Sequence, residues 1–212
     1  GSDIVGQGPG DGFGASLSLS SEGTRVAVGA PHFSTPVAPK TGQVTVYSYQ
    51  GSAWSKVGAA INAENENEYF GHSVALSSTG ARFAAGAHGA NANTGFVRVY
   101  EHRAGDNVWA QVGADILGLA QGDEFGKSVS ISGDGTVVAI GSPGGGSSGR
   151  VHVYSYKSNS FWEKMGQEIA GNEASEAFGS SVSLSESGLI MAVGAMHSSG
   201  VNKGKSTGHV GV

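Results

Sequence analysis

The chain has 212 residues, with 14% charged side chains, 37 glycines, no cysteine and a net charge of −5. No disulfide framework or thiolate metal site can form without cysteine, and an acidic balance with no basic cluster argues against nucleic acid as a partner. No apolar run approaches the roughly 18 residues of a membrane span, and no secretory leader is visible. The sequence opens Gly-Ser and stops in mid-pattern, so we read it as a segment of something longer.

One stretch recurs along the chain. Phe13-Gly14, Phe70-Gly71, Phe125-Gly126 and Phe178-Gly179 are the same pair, spaced 57, 55 and 53 apart, and 16 residues beyond each Phe stand Gly29-Ala30, Gly86-Ala87, Gly141-Ser142 and Gly194-Ala195. So regular a period means a repeat architecture. Glycine sits at fixed repeat positions, which makes it turn chemistry rather than low complexity. In chain order, residues 1–12 match the segment that joins one repeat to the next: Gly1-Ser2-Asp3-Ile4-Val5-Gly6 aligns with Gly113-Ala114-Asp115-Ile116-Leu117-Gly118.

The first predicted strand follows the FG pair. Residues 15–20 alternate apolar with small polar side chains, the period-2 pattern of a strand. Residues 72–77, 127–132 and 180–185 are its counterparts. A tight turn comes next, each copy with a glycine (Gly23, Gly80, Gly135, Gly188) to supply a positive φ. The second strand covers 25–28, 82–85, 137–140 and 190–193. Ala27, Ala84, Ala139 and Ala192 align within it and predict close approach of neighbouring sheets. A loop of variable length follows, at 31–41, 88–94, 143–148 and 196–207.

The third strand opens on glycine and closes on tyrosine, as in Gly42-Gln43-Val44-Thr45-Val46-Tyr47, with copies at 95–100 and 149–154. A short aromatic fourth strand starts at Trp54, Trp109 and Trp162. Segments of constant length, 59–69, 114–124 and 167–177, then lead to the next repeat. Each carries one isoleucine at the same place (Ile61, Ile116, Ile169), and together they hold nine of the 17 acidic residues. The inventory is three complete repeats and one without its outer strand, bounded approximately as 13–58, 70–113, 125–166 and 178–212. Four short antiparallel strands per repeat is the signature of a β-propeller blade. The predicted fold is all-β, a propeller of about four such blades, with an incomplete segment of a larger propeller as the alternative. A four-blade ring would close with a defective blade, whereas an open arc would expose blade faces and favour self-association.

Phe13-Gly14 with Val28-Gly29-Ala30-Pro31 and Val44-Thr45-Val46-Tyr47 resembles the FG-GAP repeat, the blade unit of the integrin α-subunit head. The wider form, Trp109 to Ile116 leading into Gly122-Asp123-Glu124-Phe125-Gly126, looks like repeats of large secreted or surface proteins. The resemblance implies an adhesion or recognition module, extracellular or at the cell surface, with a protein or glycan partner. Many integrin-type blades carry a calcium loop between the first and second strands. Here the equivalent turns offer at most one acid each (Glu22, Asp134, Glu186) and are too short for the roughly six to eight oxygen ligands calcium takes.

Variable loops on a fixed scaffold are where specificity usually lies. The predicted binding face is therefore 31–40, 88–93, 143–147 and 196–206, with His32, Phe33, His88, Asn91, Asn93, Ser147, His197 and Asn202 as candidate ligand-facing residues. No catalytic, cofactor-binding or metal residue is assigned. A metal held by His32, His88 and His197 would need them to converge from different blades, and loop histidines of no special role are the preferred reading. Glu64-Asn65-Glu66-Asn67-Glu68, if extended, would align three carboxylates for a weak calcium ion, but a solvated connection is preferred. No nucleophile motif stands out among the abundant serines. The tryptophans could stack on sugars, yet their fixed place makes them packing residues first. Two other functions stay open: a propeller hydrolase or lyase, for which His72 and Lys127 are the only inner-strand outliers, and a purely structural spacer.

Overall fold

The computed structural model describes residues 3–157, 161–197 and 209–211. Four antiparallel sheets follow one another along the chain as the blades of a β-propeller. The first comprises β1 (Ser16–Leu19), β2 (Arg25–Ala30), β3 (Gln43–Tyr49) and β4 (Trp54–Lys56), in that spatial order. A two-residue strand, β5 (Ile61–Asn62), also pairs with β3. The second sheet repeats this with β6 (Ser73–Leu76), β7 (Arg82–Ala87), β8 (Phe96–Arg103), β9 (Val108–Gln111) and β10 (Ile116–Leu117). The third has β11 (Ser128–Ile131), β12 (Val137–Ser142), β13 (Arg150–Tyr156), β14 (Trp162–Lys164) and β15 (Ile169–Ala170). The fourth is three-stranded, with β16 (Phe178–Leu184), β17 (Met191–Ala195) and β18 (His209–Gly211).

The hairpin between the first two strands is fixed in the same way each time. Its glycine takes φ between 65° and 72° at Gly23, Gly80, Gly135 and Gly188. The serine that ends the first strand caps the turn, because Ser20, Ser77 and Ser132 Oγ accept the backbone N–H of Arg25, Arg82 and Val137 at 3.0, 3.0 and 2.9 Å. Side-chain hydroxyls in this place offer a short-range partner to an otherwise open backbone donor.

Blades stack through one recurring junction. Ala27, Val44 and Val46 of the first sheet pack on Phe70, Val74, Leu76, Phe83 and Trp109 of the second. Ala84, Val97 and Val99 of the second pack on Phe125, Val129, Ile131, Val138 and Ile140 of the third. Val151 continues the pattern against Phe178 and Val193. At the inner edge, Ser16, Ser73 and Ser128 Oγ donate to the carbonyls of Gly71, Gly126 and Gly179, one repeat on, at 2.7, 2.7 and 2.8 Å. That contact needs glycine at positions 29, 86 and 141: a Cβ there would lie 2.0 Å from the same carbonyl oxygen. The hairpin turns are also linked, with Ser21, Ser78 and Gly133 N–H bonded to the carbonyls of Ser78, Gly133 and Glu186. At the outer edge, Trp109 and Trp162 Nε1 donate to Val57 and Val112 of the preceding blade at 2.7 and 2.8 Å.

Among the described residues the succession is open. The inner strands β1, β6, β11 and β16 pack in sequence, and no comparable packing joins β16 to β1 among the described residues. An apolar groove of about 480 Å³ lies between the third and fourth sheets, lined by Val153, Met165, Ile169, Leu184, Met191 and Val193. Met165 occupies the place that Val57 and Val112 hold in the earlier blades, so the groove marks the position an outer-strand tryptophan fills at the two preceding junctions.

Candidate ligand-binding face

The variable loops and the acidic connecting segments share one end of the blades. Each loop begins on the segment before its blade: the N–H groups of His32, Gly89, Gly144 and His197 bond to the carbonyls of Asp11, Glu68, Asp123 and Glu176. Each described loop ends on the segment after it: Asn67, Glu124 and Ser175 N–H bond to the carbonyls of Pro39, Asn93 and Ser147. The sequence treats loops and connecting segments as separate features, yet they form a single rim.

The acid two residues before each Phe is a repeat device that periodicity alone does not explain. Asp11, Glu68, Asp123 and Glu176 hold this position. Glu68 is buried and folds back on its own turn, where its carboxylate accepts the N–H groups of Glu64 and Asn65 at 3.0 Å each and the Asn65 side-chain amide at 2.9 Å. Asp123 is buried and accepts the Ala120 N–H at 3.0 Å. The 64–68 run is therefore a turn with φ of 58° at Asn67, and the extended row of three carboxylates does not form. The reason is energetic: a buried carboxylate needs donors, and the nearest open donors are the backbone N–H groups of its own turn. Glu176 is 1% exposed, neither of its carboxylate oxygens has a hydrogen-bond partner among the described residues, and His209 Nδ1 lies 3.8 Å away.

Between the first and third blades the rim carries a cluster of rings. His32 meets Tyr69 edge-on at 5.7 Å, Tyr69 stacks on His88 at 5.5 Å, and His88 lies 4.2 Å from His72 between ring centroids. Lys40 Nζ stands 5.9 Å over the Tyr69 ring, a weak cation–π contact at an exposed site. Gly89 makes the stacking possible, because a Cβ there would fall 2.4 Å from the Tyr69 ring. Lys127 approaches from the third blade, paired with Glu124 at 3.3 Å. Burial, aided by the charge of His72 and Lys127, pushes His88 down to about 3. Burial and Lys127 also lower His72, against an opposing pull from Glu124. Both imidazoles are thus neutral at pH 7, each offering one N–H and one acceptor nitrogen. His88 Nδ1 is buried without a hydrogen-bond partner among the described residues.

The predicted binding residues divide accordingly. His32 and His88 belong to the ring cluster, and Phe33 sits half-buried at the loop base, where its carbonyl accepts the Gly42 N–H. Asn91 and Asn93 are exposed on a turn, Ala90–Asn93, whose residues 91–93 all take left-handed φ between 50° and 63°. Ser147 and His197 are exposed on loops of other blades, and no ring contact joins them to the cluster among the described residues. Asn202, with most of the 196–206 loop, lies outside the described residues. Tyr69 is the member that the sequence does not mark, and His72 is marked there only as an inner-strand outlier. Tyr69 closes the connecting segment 59–69, and position 72 carries a different residue in each repeat (Ala15, His72, Lys127, Ser180), so the period gives neither a role.

No group of three or more His, Asp or Glu is arranged to hold a metal ion among the described residues. Asp134 spends its acceptors locally, on Ser132 Oγ at 2.6 Å and on the Thr136 N–H at 2.9 Å. Gly145-Gly146-Ser147-Ser148-Gly149 does spell the G-x-S-x-G pattern of a nucleophile elbow. It joins β12 to β13, whereas that motif requires a strand-to-helix turn.

Residues 118–154 match the FG-GAP repeat family model. No curated protein matches the chain. Among solved structures, a candidate 6-phosphogluconolactonase from Bacteroides fragilis superposes with a TM-score of 0.56 at 14% identity, over 80% of this chain and 42% of that one. A candidate 6-phosphogluconolactonase from Bacteroides uniformis gives 0.51 at 15% identity, over 75% and 41%. Hydrazine synthase from Kuenenia stuttgartiensis gives 0.53 at 13% identity, over 91% and 45%. The chain spans less than half the length of each. At these identities the likeness is one of fold.

Proposed function

We propose that this chain, a β-propeller built of FG-GAP repeats, is a non-catalytic recognition module that presents its loop rim to a protein or glycan, outside the cell or at its surface. The observation that carries the reading is the ring cluster of His32, Tyr69, His72 and His88 beside the variable loops. Flat, partly exposed rings suit a sugar face or an aromatic side chain, since they supply contact area at small conformational expense. No cofactor enters this reading. The test is a glycan array and a peptide library probed with labelled chain, followed by the triple variant His32→Ala, Lys40→Ala, Tyr69→Ala. At least a tenfold loss of affinity for the best ligand is expected. Unchanged binding would remove the rim from the account.

A second reading has one observation in its favour. His72 and Lys127, the two inner-strand outliers, come together with His88 and Glu124 across the second and third blades. Such a group could serve proton transfer in a hydrolase or lyase, and lactone hydrolysis is the chemistry named for two of the similar structures. Screening esters and sugar lactones against the chain and against His72→Ser with Lys127→Ser decides it. Turnover lost in the double variant would favour an enzyme, and no turnover in the unsubstituted chain would favour recognition.

A further inference from the structure

The two open faces of the blade stack are complementary halves of the junction that recurs inside it. On the first blade, Leu17 and Leu19 are 64% and 54% exposed, whereas Val74 and Val129, and Leu76 and Ile131, at the same registers are 7–8% exposed. They line a groove of about 480 Å³ with Ile4, Phe13, Val26 and Trp54. On the fourth blade, Val210 is 68% exposed, while Val44, Val97 and Val151 are at 0%. Strand register confirms the equivalence: Val210 faces Gly194 as Val44 faces Gly29 and Val97 faces Gly86. The polar partners are divided in the same way. Ser181 is exposed and has no acceptor among the described residues, although Ser16, Ser73 and Ser128 each donate to a glycine carbonyl. Gly14 is exposed, while Gly71, Gly126 and Gly179, the acceptors, are buried. Among the described residues no carbonyl lies near a Cβ at Gly194, whereas at Gly29, Gly86 and Gly141 one stands 2.0 Å away.

We propose that the chain binds a second copy of itself head to tail, the fourth blade of one chain on the first blade of the other. Continuity with the three internal junctions sets the register. Ser181 Oγ of one copy donates to the Gly14 carbonyl of the other, Gly194 receives that carbonyl, and Leu17 and Leu19 cover Val210. The contact is heterologous, so two copies that make it twice close a ring and a larger number form a longer assembly.

Light scattering on a sizing column tests this over a hundredfold range of concentration. The expected mass rises to twice 21.2 kDa or above. Leu17→Glu with Leu19→Glu disables one half and Val210→Arg the other. All three side chains are mostly exposed within a single chain, so the variants retain the strand signal in circular dichroism. Each variant alone gives at least a tenfold weaker association. An equimolar mixture of the two recovers a two-chain species through its single intact junction. A single-chain mass at every concentration overturns the proposal, as does association that survives both sets of substitutions or a mixture that stays monomeric.

Discussion

Glycine and serine at the inner edge set how closely the blades approach. Gly86→Ala places a methyl group 2.0 Å from the Gly126 oxygen, and since backbone cannot yield as a flexible side chain can, a loss of about 1–3 kcal/mol or more is expected. Ser73→Ala removes only the 2.7 Å bond to that oxygen and is expected to lower stability by about 1 kcal/mol. Urea midpoints of the two variants check both the order and the gap between them. Buried histidines add a pH dependence. His152 is 1% exposed, and burial, with Lys164 adding to it, pushes it down to about 4. A histidine whose folded value is depressed contributes stability above its unfolded value near 6.5 and loses it as pH falls toward the folded value. His152 and His88 together therefore predict a Tm that declines between pH 6.5 and 4. Asp115 and Asp134, held below the usual carboxylate range by Arg98 and Gln111 and by Ser132 and Thr136 respectively, withdraw their share only at lower pH. His152→Thr, which installs the residue found at the matching register in the first blade, Thr45, should flatten the decline in part. An unchanged slope would show that His152 does not titrate with folding.

Among the elements, the outer strand does two jobs. Trp109 is 7% exposed, packs on Phe83 with ring centroids 5.0 Å apart, and bonds to the Val57 carbonyl. Trp109→Phe keeps most of the packing and leaves that carbonyl without its donor, a loss of about 1–3 kcal/mol. Trp109→Ala removes both and should lose about 3–5 kcal/mol, read as a drop in Tm. Periodicity made the four main strands and their order legible, because alternation, turn glycines and closing tyrosines recur in phase. It could not reveal β5, β10 and β15, which are two residues long and carry no alternation. Their trace was the isoleucine shared by Ile61, Ile116 and Ile169. The acids at 68, 123 and 176 were visible as charge but not as burial, since the repeat spacing does not say that a side chain turns back on its own backbone, as those of Glu68 and Asp123 do. The ring cluster was legible only in part. His32 and His88 stood in loops already marked as variable, whereas Tyr69 and His72 joined them through contacts between blades, which one repeat cannot show.

For the whole molecule, the same junction explains both what is stable and what is open. Three internal interfaces are made with one set of inner-strand residues, and the exposed leucines and valine at the two ends are members of that set without a partner among the described residues. The rim of loops is carried by the connecting segments that span these interfaces, so the shape of the rim and blade packing are physically linked. Native-state hydrogen exchange at the amides of Ser21, Ser78 and Gly133 tests this most directly, because each donates across one junction. All three amides are expected to be protected to a similar degree, well beyond those of exposed loop residues such as Ser34 and Val37. Loop-like exchange at any one of them would contradict a junction repeated through the whole stack.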